Sequence, residues 1–485
     1  MSGRARSALR AVPRPLAVLL GAVLLLGLCW ALLTPPFQAP DEQSHFGYVQ
    51  SLVEGPGLPG DPERPAFSTE QLRAHDASNS DQTAANLLAK PEWSRDVWEA
   101  WQRQDARIPA GDKSDGGGVN PAAGNPPLSY LVDAVPYAAF SGGDFFSRVT
   151  ATRIVSVLWL LLTVAGAWLL AGEVFGRDRL LQLVTAAVVG LLPMVSFISA
   201  QVGPDTLMYA LWTVALWLAV RIVRRGLEPL PAVALLGVTG LAIVTKATSY
   251  ALLPAVLFAL GVGLWRIRDQ RPRVLRIALS ALVALAVPVV VWAAVARLSD
   301  RAVAAQVSGS SGPGGTNYRE LLSYIWQFYL PKLPFMEPHH GAGLPAYHIW
   351  VQQGWGAFGW LEVRLPDWLY RLLALVTVAV AAAAVARLVA IRRRLHLPTL
   401  AVLALALAAL FAGLHWTDYH QTAGGLAFMQ GRYAFPTIAI VGLTAAQALT
   451  WIRGGARQVA ASGVLGGLFV LQLLSFALVL SRFYA

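Results

Sequence analysis

Residues 15–33 read PLAVLLGAVLLLGLCWALL, and residues 35–48, which follow Thr34, read PPFQAPDEQSHFGY. The first stretch is an apolar run long enough to cross a bilayer as a helix. Asp41 and Glu42 therefore emerge within a few residues of the membrane surface. Two adjacent carboxylates at a lipid–water boundary suit acid or base chemistry on a substrate whose tail lies in lipid and whose reactive end lies at the headgroups. A solvated acidic turn after a helix is the alternative interpretation.

The composition of the whole chain agrees with a membrane segment at this position. Of the 485 residues, 56% are hydrophobic and only 13% are charged, and the mean hydropathy is +0.52. This balance indicates a protein that crosses the membrane several times. The formal net charge is +11, but the basic residues fall in short clusters between apolar segments, which is typical of topology signals and not of a nucleic-acid surface. Cys29 is the single cysteine, so a disulfide within the chain is excluded.

Apolar segments of spanning length recur along the chain and predict an all-α polytopic membrane protein with about eleven transmembrane helices. These segments are residues 15–34, 149–172, 180–199, 204–223, 230–245, 248–266, 274–297, 367–391, 398–415, 433–452 and 459–482. Basic clusters occupy alternate loops, which the positive-inside tendency assigns to the cytoplasm. The clusters are Arg4 to Arg14, Arg177/Arg179, Arg221/Arg224/Arg225, Arg266 to Arg276, Arg387/Arg392/Arg393/Arg394 and Arg453/Arg457. We therefore expect a plasma-membrane protein with its amino terminus inside and its carboxyl terminus outside. The first run is expected to be an uncleaved anchor, because it lacks a clear small-residue cleavage site.

This topology divides the chain into five regions, two of which are long extracytoplasmic loops. The regions are the amino terminus and first helix (1–34), the first outer loop (35–148), transmembrane helices 2–7 (149–297), the second outer loop (298–366) and transmembrane helices 8–11 (367–485).

Both outer loops contain recognisable segments. In the first, residues 92–103 predict a helix and Gly116–Gly118 predicts a flexible patch. Residues 125–140 begin with NPP and predict a short helix that lies along the membrane surface, with a plain loop as the alternative. The second outer loop contains a Ser/Gly-rich tract at 308–315, expected to be flexible, and an aromatic-rich part over 324–360, which is typical of a membrane interface.

Charged side chains at the outer ends of the predicted spans are candidates for a binding site, because a charge beside lipid needs a partner or a ligand. Asp205 begins the fourth span, where a favourable helix-dipole position is the alternative explanation. Lys246 is the only charged residue between Leu230 and Trp265, and the chain has only four lysines. Its compact ammonium suits a phosphate, and snorkelling to the headgroups is the alternative.

Arg432 lies in the sequence Gln430-Gly431-Arg432-Tyr433, which opens the tenth predicted span from the outside. Its planar guanidinium can grip a phosphate with two hydrogen bonds, and the neighbouring glycine allows close approach of the backbone. An interfacial arginine–aromatic anchor is the alternative.

Seven of the eight histidines fall on the predicted outer side, and His396 falls inside. The outer histidines are His45, His75, His339, His340, His348, His415 and His420. With Asp41, Glu42 and Asp418 they offer ligands for a divalent metal, but their spacing matches no standard zinc pattern. Histidines satisfied at the interface are the default interpretation, so the presence of a metal stays open. The sequence predicts no certain cofactor.

Taken together, these motifs resemble the GT-C superfamily of membrane glycosyltransferases, which use sugars linked to polyprenyl phosphates. The matching features are the acidic pair Asp41-Glu42, Asn125-Pro126-Pro127, Pro204-Asp205, Thr245-Lys246 and Gln430-Gly431-Arg432-Tyr433. More narrowly, three motifs resemble an uncharacterised family of bacterial predicted membrane proteins allied to that superfamily. They are Pro40-Asp41-Glu42-x-x-His45, Trp355-Gly356-x-Phe358-Gly359-Trp360 and Gln430-Gly431-Arg432-Tyr433.

The resemblance implies that an aspartate of the first outer loop is the catalytic base, which is Asp41 here with Glu42 in reserve and His45 to orient the base or the acceptor. The expected donor-phosphate ligands are Lys246, Arg432 and Gln430. The expected substrate-binding residues are Asn125, Asp205, Tyr433, Trp355 and Trp360. One departure is the lack of the large soluble carboxyl-terminal domain that some members carry, so acceptor selection is expected from the two outer loops.

The expected function is an inverting transfer of a hexosyl or pentosyl group from a polyprenyl-phosphate donor to an acceptor hydroxyl on the outer face. The expected partners are that donor, a lipid- or polymer-linked glycan acceptor and membrane lipids, and no nucleic acid. A flippase or transporter of lipid-linked saccharides is the first alternative, although the centres of the spans carry almost no charge. A non-catalytic protein of envelope assembly is the second. The enzyme hypothesis requires Asp41, Lys246 and Arg432 to lie together.

Overall fold

The computed structural model describes residues 12–80, 83, 86, 89–91, 93–299, 316–339, 344–422 and 429–484. The α-helices are α1 (Arg14–Leu33), α2 (Glu42–Val53), α3 (Thr69–Ser78), α4 (Arg95–Asp105), α5 (Ala110–Ser114), α6 (Leu128–Ala139), α7 (Phe145–Phe175), α8 (Arg179–Leu191), α9 (Pro193–Ser199), α10 (Asp205–Arg225), α11 (Pro229–Ile243), α12 (Leu253–Arg266), α13 (Arg271–Leu298), α14 (Tyr318–Tyr329), α15 (Asp367–Ala390), α16 (Leu397–Thr422), α17 (Ile438–Leu449) and α18 (Gly455–Tyr484). The other elements are 3₁₀ turns at Ala247–Leu252, Arg392–Arg394 and Gly431–Thr437, a π-helical segment at Tyr347–Gln353, and the antiparallel strands β1 (Ala357–Phe358) and β2 (Val363–Arg364).

All eleven predicted spans are helical, which confirms the all-α polytopic fold. Eight helices in the described part of the chain are long and apolar enough to cross a membrane: α1, α7, α10, α12 with its preceding 3₁₀ turn, α13, α15, α16 and α18. The predicted fifth and tenth spans are shorter, because α11 has 15 residues and α17 has 12 after a 3₁₀ turn of 7. The count of eleven crossings therefore stays a prediction.

The predicted third span is a broken helix. Helices α8 and α9 meet at an angle of 59°. Pro193 begins α9, and Leu192 before it is extended with ψ 118°. Proline lacks an N–H and disfavours helical backbone in the residue before it, so the break falls where the sequence requires it. Residues 200–204, which lead from α9 into α10, are thereby brought close to the acidic start of α2.

Residues of the predicted cytoplasmic loops meet at one end of the bundle. Arg225 Nε donates to Glu173 Oε2 at 2.7 Å, and Arg457 Nη2 donates to Asp178 Oδ2 at 2.8 Å. Asp205 is at the other end of α10, a helix of 21 residues, about 30 Å away at 1.5 Å per residue. The candidate site and the basic loops thus occupy opposite ends. That the basic end faces the cytoplasm stays a prediction, and Arg4, Arg6 and Arg10 lie outside the described residues.

The first outer loop folds into a helical lobe, α2–α6, with its own aromatic core. The predicted helix over 92–103 is α4, which begins later because Ser94 caps it by accepting a hydrogen bond from the Val97 N–H. Trp101 of α4 packs against Phe146 with ring centroids 5.4 Å apart. Glu92 lies outside the described residues. The lobe therefore rests on the amino-terminal end of α7, to which Phe146 belongs.

Helix α6 corresponds to the predicted helix over 125–140, so the alternative of a plain loop is wrong. Tyr130 and Asp133 on one face are buried, whereas Leu131 and Val135 on the other are 52% and 69% exposed. Exposed aliphatic side chains on one face suit a helix that lies against an apolar phase. This pattern agrees with the predicted position along the membrane surface.

The prediction of a flexible patch at Gly116–Gly118 is wrong, because the segment packs against residues 60–68. Gly60 N donates to Gly117 O at 2.8 Å, and Gly118 N donates to Pro65 O at 2.8 Å. A Cβ on Gly118 would lie 2.1 Å from the carbonyl oxygen of Arg64. The glycines are needed for close backbone approach, which composition alone does not distinguish from flexibility.

The second outer loop packs on the outer end of α16. Tyr324 of α14 donates to the carboxylate of Asp418, and the Tyr329 hydroxyl lies 2.8 Å from His415 Nε2. The expected aromatic interface is thus a packed layer of aromatic and histidine side chains. The predicted flexible tract at 308–315 and His340 lie outside the described residues.

A buried ion pair fixes the start of the outer lobe to the membrane helices. Arg153 of α7 pairs with Glu42, with Nε 2.7 Å from Oε1 and Nη2 2.5 Å from Oε2, and the side chains are 3% and 0% exposed. Arg153 also donates to the carbonyl oxygens of Ala31 (3.1 Å), Thr34 (2.6 Å) and Pro35 (3.0 Å). The guanidinium therefore satisfies the carbonyls left free at the end of α1 while it neutralises Glu42.

Breaking this ion pair should destabilise the protein strongly. Removing one partner leaves the other charge buried and unpaired, which costs about 3–5 kcal/mol. We expect Arg153→Met and Glu42→Gln each to lower the melting temperature of detergent-solubilised protein well below the native value. Arg95→Met is the matched control, since its ion pair with Glu99 is exposed and such pairs contribute about 0–1 kcal/mol. Equal losses in Arg153→Met and Arg95→Met would contradict the assigned role.

Candidate active site at the outer ends of the helices

Four charged side chains meet at the end of the bundle opposite the basic loops: Asp41, Asp205, Lys246 and Arg432, here called the charge quartet. Lys246 Nζ donates to Asp205 Oδ1 at 2.5 Å, and Arg432 Nε lies 3.8 Å from Asp205 Oδ2. Arg432 Nη2 donates to the carboxylate of Asp41. Asp205, Lys246 and Arg432 side chains are 7%, 12% and 5% exposed, but Asp41 is 38% exposed. The quartet alternates acid and base, and its net charge is zero.

Each member of the quartet lies at or beside the end of a helix or 3₁₀ turn. Asp41 is the residue before α2 and has a left-handed conformation (φ 65°, ψ 4°). Asp205 is the first residue of α10, after Pro204. Lys246 is extended and lies between α11 and the following 3₁₀ turn. Arg432 is the second residue of the 3₁₀ turn Gly431–Thr437. Four helix ends therefore converge, as the sequence analysis requires for Asp41, Lys246 and Arg432.

Two further hydrogen bonds hold Arg432, one through its backbone carbonyl and one through its guanidinium. Tyr209 of α10 donates its hydroxyl to the Arg432 carbonyl at 3.0 Å, and Arg432 Nη1 donates to the carbonyl of Pro40 at 3.1 Å. The preceding Gly431 has no room for a side chain, because a Cβ would lie 2.6 Å from the carbonyl oxygen of Ile349. Glycine at this position thus permits the close backbone approach that the sequence suggested.

Tyr433 covers the two cations. Its ring centroid lies 5.1 Å from Lys246 Nζ and 5.5 Å from Arg432 Cζ. Both distances are within the range of cation–π attraction. The tyrosine thereby holds both cations at one wall of the site.

His45 lies beside the quartet and is the end of a hydrogen-bond chain. Asn125 Nδ2 donates to the Tyr130 hydroxyl at 2.8 Å, and that hydroxyl lies 2.9 Å from His45 Nδ1. A hydroxyl has one proton and two acceptor lone pairs, so it can donate to Nδ1 while it accepts from Asn125. In that arrangement neutral His45 carries its proton on Nε2. A Cβ on Gly203 would lie 3.1 Å from His45 Cδ2, so glycine leaves room for the ring.

The electrostatic environment leaves the Asp41 carboxylate ionised and the His45 imidazole neutral. Burial raises the pKa of Asp41, but Arg432, His45 and Lys246 offset this, so the pKa lies below the usual 3.8 and the carboxylate is ionised. Burial lowers the pKa of His45 to about 4, because the neighbouring carboxylates Asp41 and Asp205 only partly compensate. His45 is therefore a neutral hydrogen-bond donor at physiological pH.

Three further predicted site residues are hydrogen-bonded to groups outside the charge quartet. Glu42 has both carboxylate oxygens occupied, by Arg153 and by the backbone N–H groups of Phe37 and Val202 at 3.1 Å each. Trp355 Nε1 donates to Thr377 of α15 at 3.1 Å, and Trp360 Nε1 donates to the Phe37 carbonyl at 3.1 Å.

Asn125 is linked to the site through Tyr130 and His45. Gln430 is half-buried, and its Oε1 is buried without a hydrogen-bond partner among the described residues.

Three residues at the site escaped the sequence analysis. Arg153 was detectable, since it is a charge inside a predicted span, and such a charge needs a partner. Tyr130 and Tyr209 give no such signal, because an aromatic residue in a helix usually belongs to the hydrophobic core. Their contacts join segments that are 85 and 223 residues apart.

A metal centre finds no support in the donor set. No group of three or more histidine, cysteine, aspartate or glutamate side chains in the described ranges is arranged to hold a metal ion. At the quartet, Asp41 and Asp205 are each paired with a cation of the chain. These residues therefore fit as mutual counter-charges and do not fit a divalent cation.

Comparison with solved structures shows which known membrane proteins share this fold. The archaeal oligosaccharyltransferase AglB from Archaeoglobus fulgidus, solved with an inhibitory peptide and a dolichol-phosphate, matches with a TM-score of 0.50 and 12% identity over 96% of this chain and 56% of its own. ArnT from Cupriavidus metallidurans, bound to undecaprenyl phosphate, matches with a TM-score of 0.51 and 15% identity over 96% of this chain and 76% of its own. The chain therefore has a GT-C-like membrane fold, as its motifs indicated, and spans little more than half the length of AglB.

The family follows from a separate comparison of sequence. The model of the family described as "Predicted membrane protein (DUF2142)" matches residues 24–441. The chain belongs to this family. No protein with a curated description matches it.

The position of His45 leads to a prediction about pH. Its pKa in the folded protein, about 4, is below the ordinary 6.5, so its contribution to stability is complete above pH 6.5 and is lost as the pH falls toward 4. We expect the melting temperature to decline over this window and to decline less in His45→Gln. His348→Gln, in the second outer loop, is the control and should keep the native slope. Identical slopes in native protein and His45→Gln would show that His45 is not the titrating group.

Proposed function

We propose that the protein is a glycosyltransferase that moves a sugar from a polyprenyl-phosphate donor to an acceptor hydroxyl on the outer face of the plasma membrane, with inversion. The observation that carries this proposal is the charge quartet, which holds an ionised, partly exposed carboxylate beside two cations at the outer helix ends. A glycosyl transfer from a lipid phosphate needs a base for the hydroxyl and cations for the departing phosphate.

The structural comparisons support the choice of donor. The AglB structure contains a dolichol-phosphate and the ArnT structure contains undecaprenyl phosphate. Both are polyprenyl phosphates, whose tails lie in lipid and whose phosphates lie at the headgroup level. We extend this ligand class to the present chain, because its two quartet cations lie at the ends of apolar helices. The acceptor is then a lipid- or polymer-linked glycan that approaches from the outer lobes.

The reaction follows from the roles of three of the four charges. The acceptor oxygen attacks the anomeric carbon of the donor sugar from the side opposite the phosphate, and Asp41 takes the hydroxyl proton. A new carbon–oxygen bond forms as the bond from the anomeric carbon to the phosphate oxygen breaks, and that oxygen leaves with the electron pair. Lys246 and Arg432 stabilise the negative charge that collects on the phosphate. Attack from the opposite side inverts the anomeric configuration.

Pairing between Asp41 and Arg432 couples donor binding to the base. Arg432 now donates to Asp41, which lowers the pKa of that carboxyl and weakens it as a base. A donor phosphate brings negative charge and competes for the same guanidinium. When Arg432 turns toward the phosphate, Asp41 loses its strongest cationic partner and becomes more basic. The base is thus activated only when the donor is in place.

Glu42 is assigned a different role from its neighbour. Its carboxylate is fully buried and is bound by Arg153, so it is a positioning residue that fixes the backbone carrying Asp41. His45 is assigned to orient Asp41 or the acceptor by donating from Nε2.

Replacing the proposed base should abolish transfer without loss of the fold. Asp41→Asn keeps the size of the side chain but cannot take a proton, and we expect the rate of transfer to fall by about 10²–10⁴-fold. Donor binding should persist, because both cations remain. Asp367→Asn is the control, since Asp367 is exposed at the first residue of α15. Sugar transfer from polyprenyl-phosphate donors, assayed in proteoliposomes, tests this, and near-native turnover in Asp41→Asn would refute the base assignment.

Removing the ammonium of the quartet should weaken donor binding. Lys246→Met keeps the aliphatic stem, and Asp205 retains Arg432 as a partner, so the variant is expected to fold. Loss of a hydrogen bond to a charged group costs about 1.5–3 kcal/mol, which predicts about a 10- to 150-fold lower affinity for undecaprenyl phosphate. Lys332→Met, at an exposed lysine of the second outer loop, is the control. Unchanged affinity in Lys246→Met would remove the lysine from the phosphate site.

A further inference from the structure

Two glutamines in the segments that carry the charge quartet have side-chain amides without a hydrogen-bond partner among the described residues. Gln38 is 0% exposed and Gln201 is 4% exposed. In both side chains the amide Nε2 and Oε1 atoms are buried and unpaired within the described residues. No other side-chain amide in that part of the chain leaves both of its polar atoms buried and unpaired. A buried amide without a partner costs free energy, so these two positions require an explanation.

The protein satisfies a buried glutamine elsewhere without difficulty. Gln472 of α18 is also 0% exposed. It accepts from Trp30 Nε1 at 2.9 Å and donates to Ser196 Oγ at 2.8 Å and to the Leu191 carbonyl at 3.3 Å. The unpaired state of Gln38 and Gln201 is therefore local to their part of the structure and is not a general property of its buried amides.

Both unpaired glutamines belong to the backbone segments that carry the quartet. Gln38 lies three residues before Asp41, and Gln201 lies four residues before Asp205. The two segments are joined directly, since the N–H of Val202 donates to Glu42 at 3.1 Å.

A third glutamine follows the same pattern. Gln430 lies two residues before Arg432, and its Oε1 atom is also buried and unpaired. Arg432 bonds the carbonyl of Pro40 at 3.1 Å, which links its segment to the one that carries Gln38. Three of the four segments that supply the quartet thus also supply a glutamine with unsatisfied hydrogen-bonding capacity.

We propose that Gln38, Gln201 and Gln430 bind hydroxyl groups of the sugar carried by the donor, and this inference rests on the proposed transferase function. A hydroxyl both donates and accepts a hydrogen bond, and a carboxamide offers one group of each kind. Because these segments also carry Asp41 and Arg432, a sugar that bridges the base and the phosphate is placed along them. The amides carry no charge, and the quartet as a whole has no net charge. The site therefore selects a neutral sugar over a cationic or anionic one.

The test compares lipid phosphates with and without a sugar. Binding to the native protein is measured for undecaprenyl phosphate and for the same lipid carrying a mannosyl, an arabinosyl or a protonated amino-sugar group. We expect at least one neutral glycolipid to bind about tenfold or more tightly than the bare lipid, and the amino-sugar lipid to gain no such advantage. Gln38→Met and Gln201→Met keep the side-chain size but remove the amide. Each should reduce the preference for the neutral glycolipid about three- to tenfold and leave binding of the bare lipid unchanged.

The stability of the same variants separates binding from a structural role. Replacing an unpaired amide by methionine should leave the melting temperature unchanged or raise it, because no hydrogen bond to a described residue is lost. Gln472→Met is the matched control and should lower the melting temperature while keeping the native preference among lipids. The inference is overturned if the native protein does not distinguish the neutral glycolipids from the bare lipid. A lower melting temperature with unchanged ligand preference in Gln38→Met and Gln201→Met also overturns it. Failure of the native protein to bind any of these lipids would instead refute the proposed function.

Discussion

The guanidinium of Arg432 bonds the carbonyl of Pro40, pairs with Asp41 and faces Asp205, so one side chain joins the start of the chain to its last quarter. A charge buried at the edge of a membrane is tolerated only with opposite charges around it. Because Lys246 completes the set, four helix ends meet at the place where these charges pair. The requirement for charge pairing therefore shapes the outer end of the bundle.

Asp41 and Glu42 are neighbours in the chain and have opposite surroundings. Glu42 is fully enclosed and bound by Arg153, whereas the side chain of Asp41 keeps 38% of its surface exposed. The left-handed backbone of Asp41 turns the chain at this point, so adjacent carboxylates enter different environments. One acid anchors the lobe through α7, and this anchoring leaves the other at a fixed place where a ligand can reach it.

Composition and periodicity were sufficient to predict the helical segments, and isolated charges at outer span ends pointed to Asp41, Asp205, Lys246 and Arg432, which the structure brings together. Which residues pair with one another could not be predicted from one sequence. The pairing of Glu42 with Arg153 joins residues 111 positions apart, and no local pattern specifies it. For the same reason no local pattern predicted that Trp355 bonds Thr377 of α15. Gly116–Gly118 was misjudged because glycine serves close packing as readily as flexibility.

The contrast between the charges and the amides of the site has a physical basis. An unpaired buried charge costs several kcal/mol or more, so the ligand-free protein must neutralise each one from its own chain, as the quartet does. An unpaired buried amide costs about 1–3 kcal/mol, which a folded protein can tolerate until a ligand arrives. Charge pairing therefore determines the position of a bound ligand. The unpaired amides of Gln38 and Gln201 then determine which ligands bind more tightly there. A site built on this division binds an anion only by exchanging partners, and it offers a neutral group hydrogen bonds for which no described residue competes.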